Sequence, residues 1–94
     1  MFKICGLLID KNLEIVGEII IENIKYNDVN IDESLKYLEI FSTNIHHYLF
    51  EKLFYIIMNK YNINDIKYKF NKIDKNTKLY NFCITEMINF ICLK

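Results

Sequence analysis

The residues in this chain best suited to moving a proton or holding a metal are His46, His47 and Glu51. His47 and Glu51 stand four apart, so a helix would place them on one face. A zinc site needs three or four ligands, and a catalytic one keeps three plus a water. No third ligand lies nearby in sequence, and neither HExxH nor HxxxH spacing occurs. His46 falls on the apolar side with Leu53 and Ile57 and is expected to be a hydrogen-bonded core histidine. Neither a metal nor any other cofactor is expected.

A second group could contact phosphate. Lys67, Lys69, Lys72, Lys75 and Lys78 surround Tyr68 and Phe70, and aromatic rings beside lysines can stack on bases along a nucleic-acid backbone. Read as a strand, however, Lys67-Tyr68-Lys69-Phe70 alternates, which sends lysines and aromatics to opposite faces. Nucleic-acid binding through Lys67, Lys69, Lys72, Lys75 and Lys78 is therefore the alternative function.

The thiols and hydroxyls offer less. Cys5, Cys83 and Cys92 have no CxxC spacing, and no adjacent base activates them. Cys83 lies mid-face in a helical pattern and is expected to be buried. Ser34 and Ser42 lack a nucleophile-elbow context, and no glycine-rich loop is present to cradle a phosphate. The chain is expected not to be an enzyme.

The elements that would position these residues centre on Glu33 to Tyr61. Leu38, Phe41, Ile45, Leu49, Leu53 and Ile56 recur at three- and four-residue spacing, the mark of an amphipathic helix. Phe50, Phe54, Ile57 and Tyr61 widen the apolar arc, so this helix must be covered from two sides. Ser42-Thr43-Asn44 are cap formers that compete for backbone hydrogen bonds. Two segments are expected, about Asp32–Phe41 and Thr43–Tyr61.

Before them, Phe2–Ile9 and Leu13–Ile24 flank Asp10-Lys11-Asn12. β-branched richness around an Asp/Asn turn predicts a β-hairpin. A helix from about Lys11 to Ile24 competes, with Glu14, Glu18 and Glu22 as a stripe and Leu13, Val16, Ile20 and Ile24 buried. After Tyr61 comes a turn at residues 62–65, then a third strand around Ile66–Phe70. Thr77 caps a last helix with Leu79, Tyr80, Cys83, Ile84, Met87, Ile88 and Ile91 on one side. The expected fold is a small α+β domain, β-β-α-α-β-α, with a three-stranded antiparallel sheet against the long central helix. The alternative is an all-α bundle of five helices.

Composition bounds the class of molecule. The 94 residues suit one domain, 1–94, and with 52% apolar and 15% aromatic residues the chain is not a disordered one. Formal net charge is +0, which argues against a generic polyanion binder. The balance hides an asymmetry: residues 1–47 carry eight acids and four lysines, and residues 48–94 carry four acids and eight lysines. Ala, Arg, Gln, Pro and Trp are absent, so bidentate Arg recognition of phosphate or guanine is not available. Abundant Asn, Ile, Lys and Tyr reflect AT-rich coding, which suits a microbe, a virus or a mobile element.

An odd cysteine count points to a reducing compartment. FKICGLLID lacks a small-residue cleavage site and is not expected to be a signal peptide, and no apolar run is long enough to span a membrane. A cytoplasmic location is expected, in the host cell if the source is viral. The remaining signal is apolar excess. Phe50, Phe54, Tyr55, Phe82 and Phe90, with Tyr37, are more aromatic surface than so small a domain covers easily. They predict a non-enzymatic protein-interaction module. The expected partner is a second copy in a homodimer, another protein, or both, as for a virus- or mobile-element-encoded inhibitor of a host defence protein.

Overall fold

Five helices follow one another in the computed structural model, which describes residues 2–92 and the side chains of 12–89. They are α1 (Phe2–Tyr26), α2 (Ile31–Thr43), α3 (His47–Lys60), α4 (Ile63–Asn71) and α5 (Lys78–Cys92). No strand occurs among the described residues. The expected α+β order with a sheet is therefore overturned, and the five-helix alternative is the architecture.

The expected hairpin is a single 25-residue helix. β-propensity records how well a side chain fits a pleated, half-buried surface, and here no such surface forms. Helical register gives this stretch a better burial. Gly17, Ile21 and Ile24 face α3, with Ile21 and Ile24 at 0% exposure. Gly17 lets α3 approach: a Cβ built there would meet Leu49 Cδ1 at 2.5 Å. The buried face is thus rotated from the helical alternative read in the sequence, and Val16 points outward.

The expected third strand is α4. Asn62 caps it, its side chain accepting from the Asn64 amide at 2.8 Å. Ile66 and Phe70, four apart, then turn inward together, which the alternation of residues 66–71 had concealed. The last helix forms as expected, with Thr77 Oγ1 accepting from the Tyr80 amide. Its inward face, however, is Leu79, Phe82, Cys83 and Met87, and Ile84 and Ile88 of the expected face are exposed.

The central stretch does divide, although Thr43 closes α2 and α3 starts only at His47, not at the expected Thr43. Asn30 caps α2 by accepting from the Asp32 amide at 2.6 Å, and Asp32 and Glu33 complement the positive helix N-terminus. At the other end Ile45 adopts φ 55°. The His46 amide donates back to Phe41 O and the Ile45 amide to Ser42 O. These two bonds form a Schellman motif, with isoleucine where glycine usually stands. His46 then caps α3, its Nδ1 accepting from the Leu49 amide. It is a half-buried cap, not a core histidine.

Helix α3 is the core element, burying Leu49, Phe50, Leu53, Phe54 and Ile57. Leu38 and Phe41 of α2, Ile21 and Ile24 of α1, Ile66 of α4, and Leu79 and Cys83 of α5 close around it. The α1–α2 junction is pinned by the end of α3. Lys60 Nζ donates to Ile24 O and Asn27 O, filling carbonyls that a helix end leaves open. Tyr61 Oη donates to Val29 O at 2.6 Å, and buried Ser34 Oγ lies 2.8 Å from the same oxygen.

Candidate functional site

Three places hold the residues singled out above. The first is the junction of α3 and α5 at His47. The imidazole stacks on Phe82 with ring centres 4.8 Å apart, beside a cleft of about 180 Å³ that Asn81, Thr85 and Glu86 also line. Burial first, then the Glu51 carboxylate, pushes the Glu86 carboxyl above its ordinary range, with His47 opposing. Glu86 Oε2 is buried and has no hydrogen-bond partner. Burial, then Glu86 and Glu51, likewise pushes the Tyr55 hydroxyl up. His47, Glu51 and Glu86 therefore share one electrostatic neighbourhood. The cleft is smaller than the ~300 Å³ at which ligand pockets begin. Among the described residues no three His, Cys, Asp or Glu are grouped to hold a metal.

The second place is a groove of about 770 Å³ between α2 and the α4–α5 connection. Lys69, Lys72 and Lys78 line it, joined by Lys36 of α2, which the sequence did not flag. Lys67 and Lys75 are exposed outside it. Because α4 is a helix, the expected separation of lysines from aromatics does not hold. Lys72 Nζ sits 4.2 Å from the Tyr68 ring centre, while Phe70 stacks inward on Phe54. Lys69 pairs with Asp32 at 2.6 Å, and the hydrogen bond to that carboxylate raises the Lys69 pKa. Glu39 and Asp74 also line the groove, over a floor that includes Leu35, Ile73 and Leu79.

The third is the set of aromatics expected to meet a partner. Phe50 and Phe54 are 1% and 0% exposed, so their place is the core and not a docking surface. An aromatic series explains it: Phe82 meets Phe50 edge-on at 5.1 Å, Phe50 stacks on Phe54, and Phe54 on Phe70. Phe82 and Tyr55 are half-buried, and the Phe90 side chain lies outside the described residues, as do those of Cys5 and Cys92. Cys83 is buried, and that burial pushes its thiol up to about 12.

Exposed apolar side chains, Tyr48, Ile63, Tyr68, Ile84 and Ile88 among them, are spread over several elements, and three stand together on α1. Ile15, Val16 and Ile19 of α1 are 61%, 50% and 64% exposed. On a helix these three positions share one face over adjacent turns. Glu14, Glu18 and Glu22 run along one edge of it. Glu18 is bound to Lys52 at 2.8 Å, a hydrogen bond that lowers the Glu18 pKa and raises that of Lys52. The sequence carried a signal for this face: in the helical reading, Ile15 and Ile19 belong to neither the buried side nor the acidic stripe. No helix among the described residues is long and apolar enough to cross a membrane. No protein-family model, curated protein or solved structure matches this chain.

Proposed function

We propose that this chain is a non-enzymatic interaction module that associates with a second copy of itself through the outer face of α1. The carrying observation is the exposure of Ile15, Val16 and Ile19 side by side on that face. Single exposed aliphatics are ordinary, but a contiguous patch marks an interaction surface. Formal net charge of +0 adds to the tendency, because little long-range repulsion keeps copies apart. The same composition supports an intracellular role, and an inhibitor encoded by an AT-rich virus or mobile element fits within the class. The nucleic-acid alternative is less well supported, because Asp32, Glu39 and Asp74 interrupt the lysines of the groove.

Sedimentation equilibrium across micromolar concentrations tests the reading. The unmodified chain is expected to dimerise, and Ile19→Asp to remain monomeric with unchanged helical content. A strictly monomeric unmodified chain removes the proposal.

A further inference from the structure

The groove and the outer face of α1 complement one another and do not overlap. No α1 residue lines the groove, and the buried face of α1 is the one turned to α3. One surface is an apolar helical ridge with an acidic edge. The other is a depression with an apolar floor, rimmed by four lysines and by Asp32, Glu39 and Asp74. We infer that the outer face of α1 in one copy seats in the lysine-rimmed groove of a second copy. This rests on the self-association proposed above and adds where the second copy binds.

Charge selects this geometry. Glu18 is occupied by Lys52, which leaves Glu14 and Glu22 exposed at two points along the edge. On the groove side Lys69 is occupied by Asp32. Lys36, Lys72 and Lys78 remain, and among the described residues none of them has an ion-pair partner; Glu39 and Asp74 oppose them, which leaves the groove with a net positive charge of one. Pairing α1 with α1 is the competing arrangement. In an antiparallel pair the same edge of each helix meets its copy, so Glu14 and Glu22 would oppose Glu14 and Glu22. Like charges so placed are unfavourable. In a parallel pair the acidic edge would meet the opposite edge, where the described residues include Leu13 and Ile20 and no cation. The groove offers the acids three lysines outside any ion pair among the described residues.

Ridge and groove are different patches, so a single contact is heterologous. Two such contacts about a two-fold axis close a dimer, with each copy giving its ridge and receiving its partner's. Closure also doubles the covered area toward the ~800 Å² per partner of a stable interface.

The test is a charge exchange read by sedimentation equilibrium of the full chain at low salt. One variant carries Glu14→Lys and Glu22→Lys, the other Lys72→Glu and Lys78→Glu. All four positions are exposed, and circular dichroism verifies that each variant stays folded. Each alone is expected to associate at least about tenfold more weakly than the unmodified chain, since every contact then joins like charges. Their equimolar mixture is expected to recover association, because each altered ridge meets an oppositely altered groove. A salt titration of the unmodified chain needs no substitution and should weaken association as charges are screened. If both variants dimerise as the unmodified chain does, or if the mixture stays monomeric, the groove is not the receptor. In that case, loss of the dimer with Ile19→Asp alone leaves self-association standing while this inference falls. An unmodified chain that is monomeric removes both.

Discussion

Replacing Ile45 by glycine should stabilise this protein. Ile45 is held at φ 55°, in the left-handed region where Cβ crowds the following carbonyl oxygen. That costs roughly 1–2 kcal/mol for an ordinary side chain, with β-branched residues near the top of the range. Glycine removes it. Against this stand two losses. Glycine gives the unfolded chain more freedom, worth about 0.5–1 kcal/mol. The isoleucine side chain also leaves, but it is 55% exposed and outside the core cluster, so its contacts contribute about 0.5 kcal/mol. The net is a gain of about 0.5–1 kcal/mol, or a rise in Tm of about 3–6 °C for a domain of this size. Urea and thermal unfolding followed by circular dichroism measure it, with Ile45→Ala as the control. Alanine loses the same contacts yet keeps a Cβ, so it should be neutral or slightly destabilising. If glycine lowers Tm, or if glycine and alanine move together, the left-handed backbone is not what limits stability there.

Three further outcomes follow from buried groups. Tyr61→Phe removes the hydroxyl shared by Ser34 and Val29 O, leaving two unpartnered polar groups, so urea unfolding should show a loss of about 2 kcal/mol. Once Tyr61 is Phe, Ser34→Ala should cost less than it does in the unmodified chain. Glu86 has a folded-state pKa above its unfolded value, so the native state holds its proton longer. Stability therefore falls as pH rises from the unfolded carboxyl pKa through the raised one, and stays lower above it. Glu86→Gln should accordingly stabilise at neutral pH and lose that advantage in acid, as thermal melts across pH 3–8 would show; a pH-independent effect contradicts the assignment. Cys83, with its thiol pushed up to about 12 by burial, should resist a thiol reagent in the native state and react once urea unfolds the chain.

How far the sequence revealed these features depended on which physical signal each segment carries. The break near Ser42-Thr43-Asn44, the cap at Thr77 and the last helix were legible because capping chemistry is local. The burial of α3 on two sides was legible because Leu49, Phe50, Leu53, Phe54 and Ile57 fill adjacent helical positions. Residues 2–26 misled because isoleucine and valine fit a strand as well as a helix. The packing that separates them is long-range, Ile21 and Ile24 buried against α3 with the Leu49 side chain lodged against Gly17, and local sequence does not display it. Ile66, Tyr68 and Phe70 misled for a related reason. Alternation over five residues is too short to outweigh a cap at Asn62 followed by inward Ile66 and Phe70. Of the lysines in the groove, Lys69, Lys72 and Lys78 were visible as a run, whereas Lys36 joins them only through the packing of α2. The aromatics were correctly seen as numerous but not as each other's solvent. Phe50, Phe54, Phe70 and Phe82 satisfy one another across three helices, while tyrosines and aliphatics such as Tyr48, Tyr68 and Ile15 take the exposed positions.

Gly17 has a reach beyond its own contact. It is the notch into which α3 keys, and a keyed cylinder cannot roll. Leu49 fits against α1 at that point, and Ile21 and Ile24 are buried on the same side, so the azimuth of the first helix is set from behind. The side turned to solvent is then no longer a free choice of the isoleucines that occupy it. A side chain placed in the notch would meet the far end of Leu49, so either Leu49 turns aside or α1 does, and only the second outcome changes which residues of α1 face solvent.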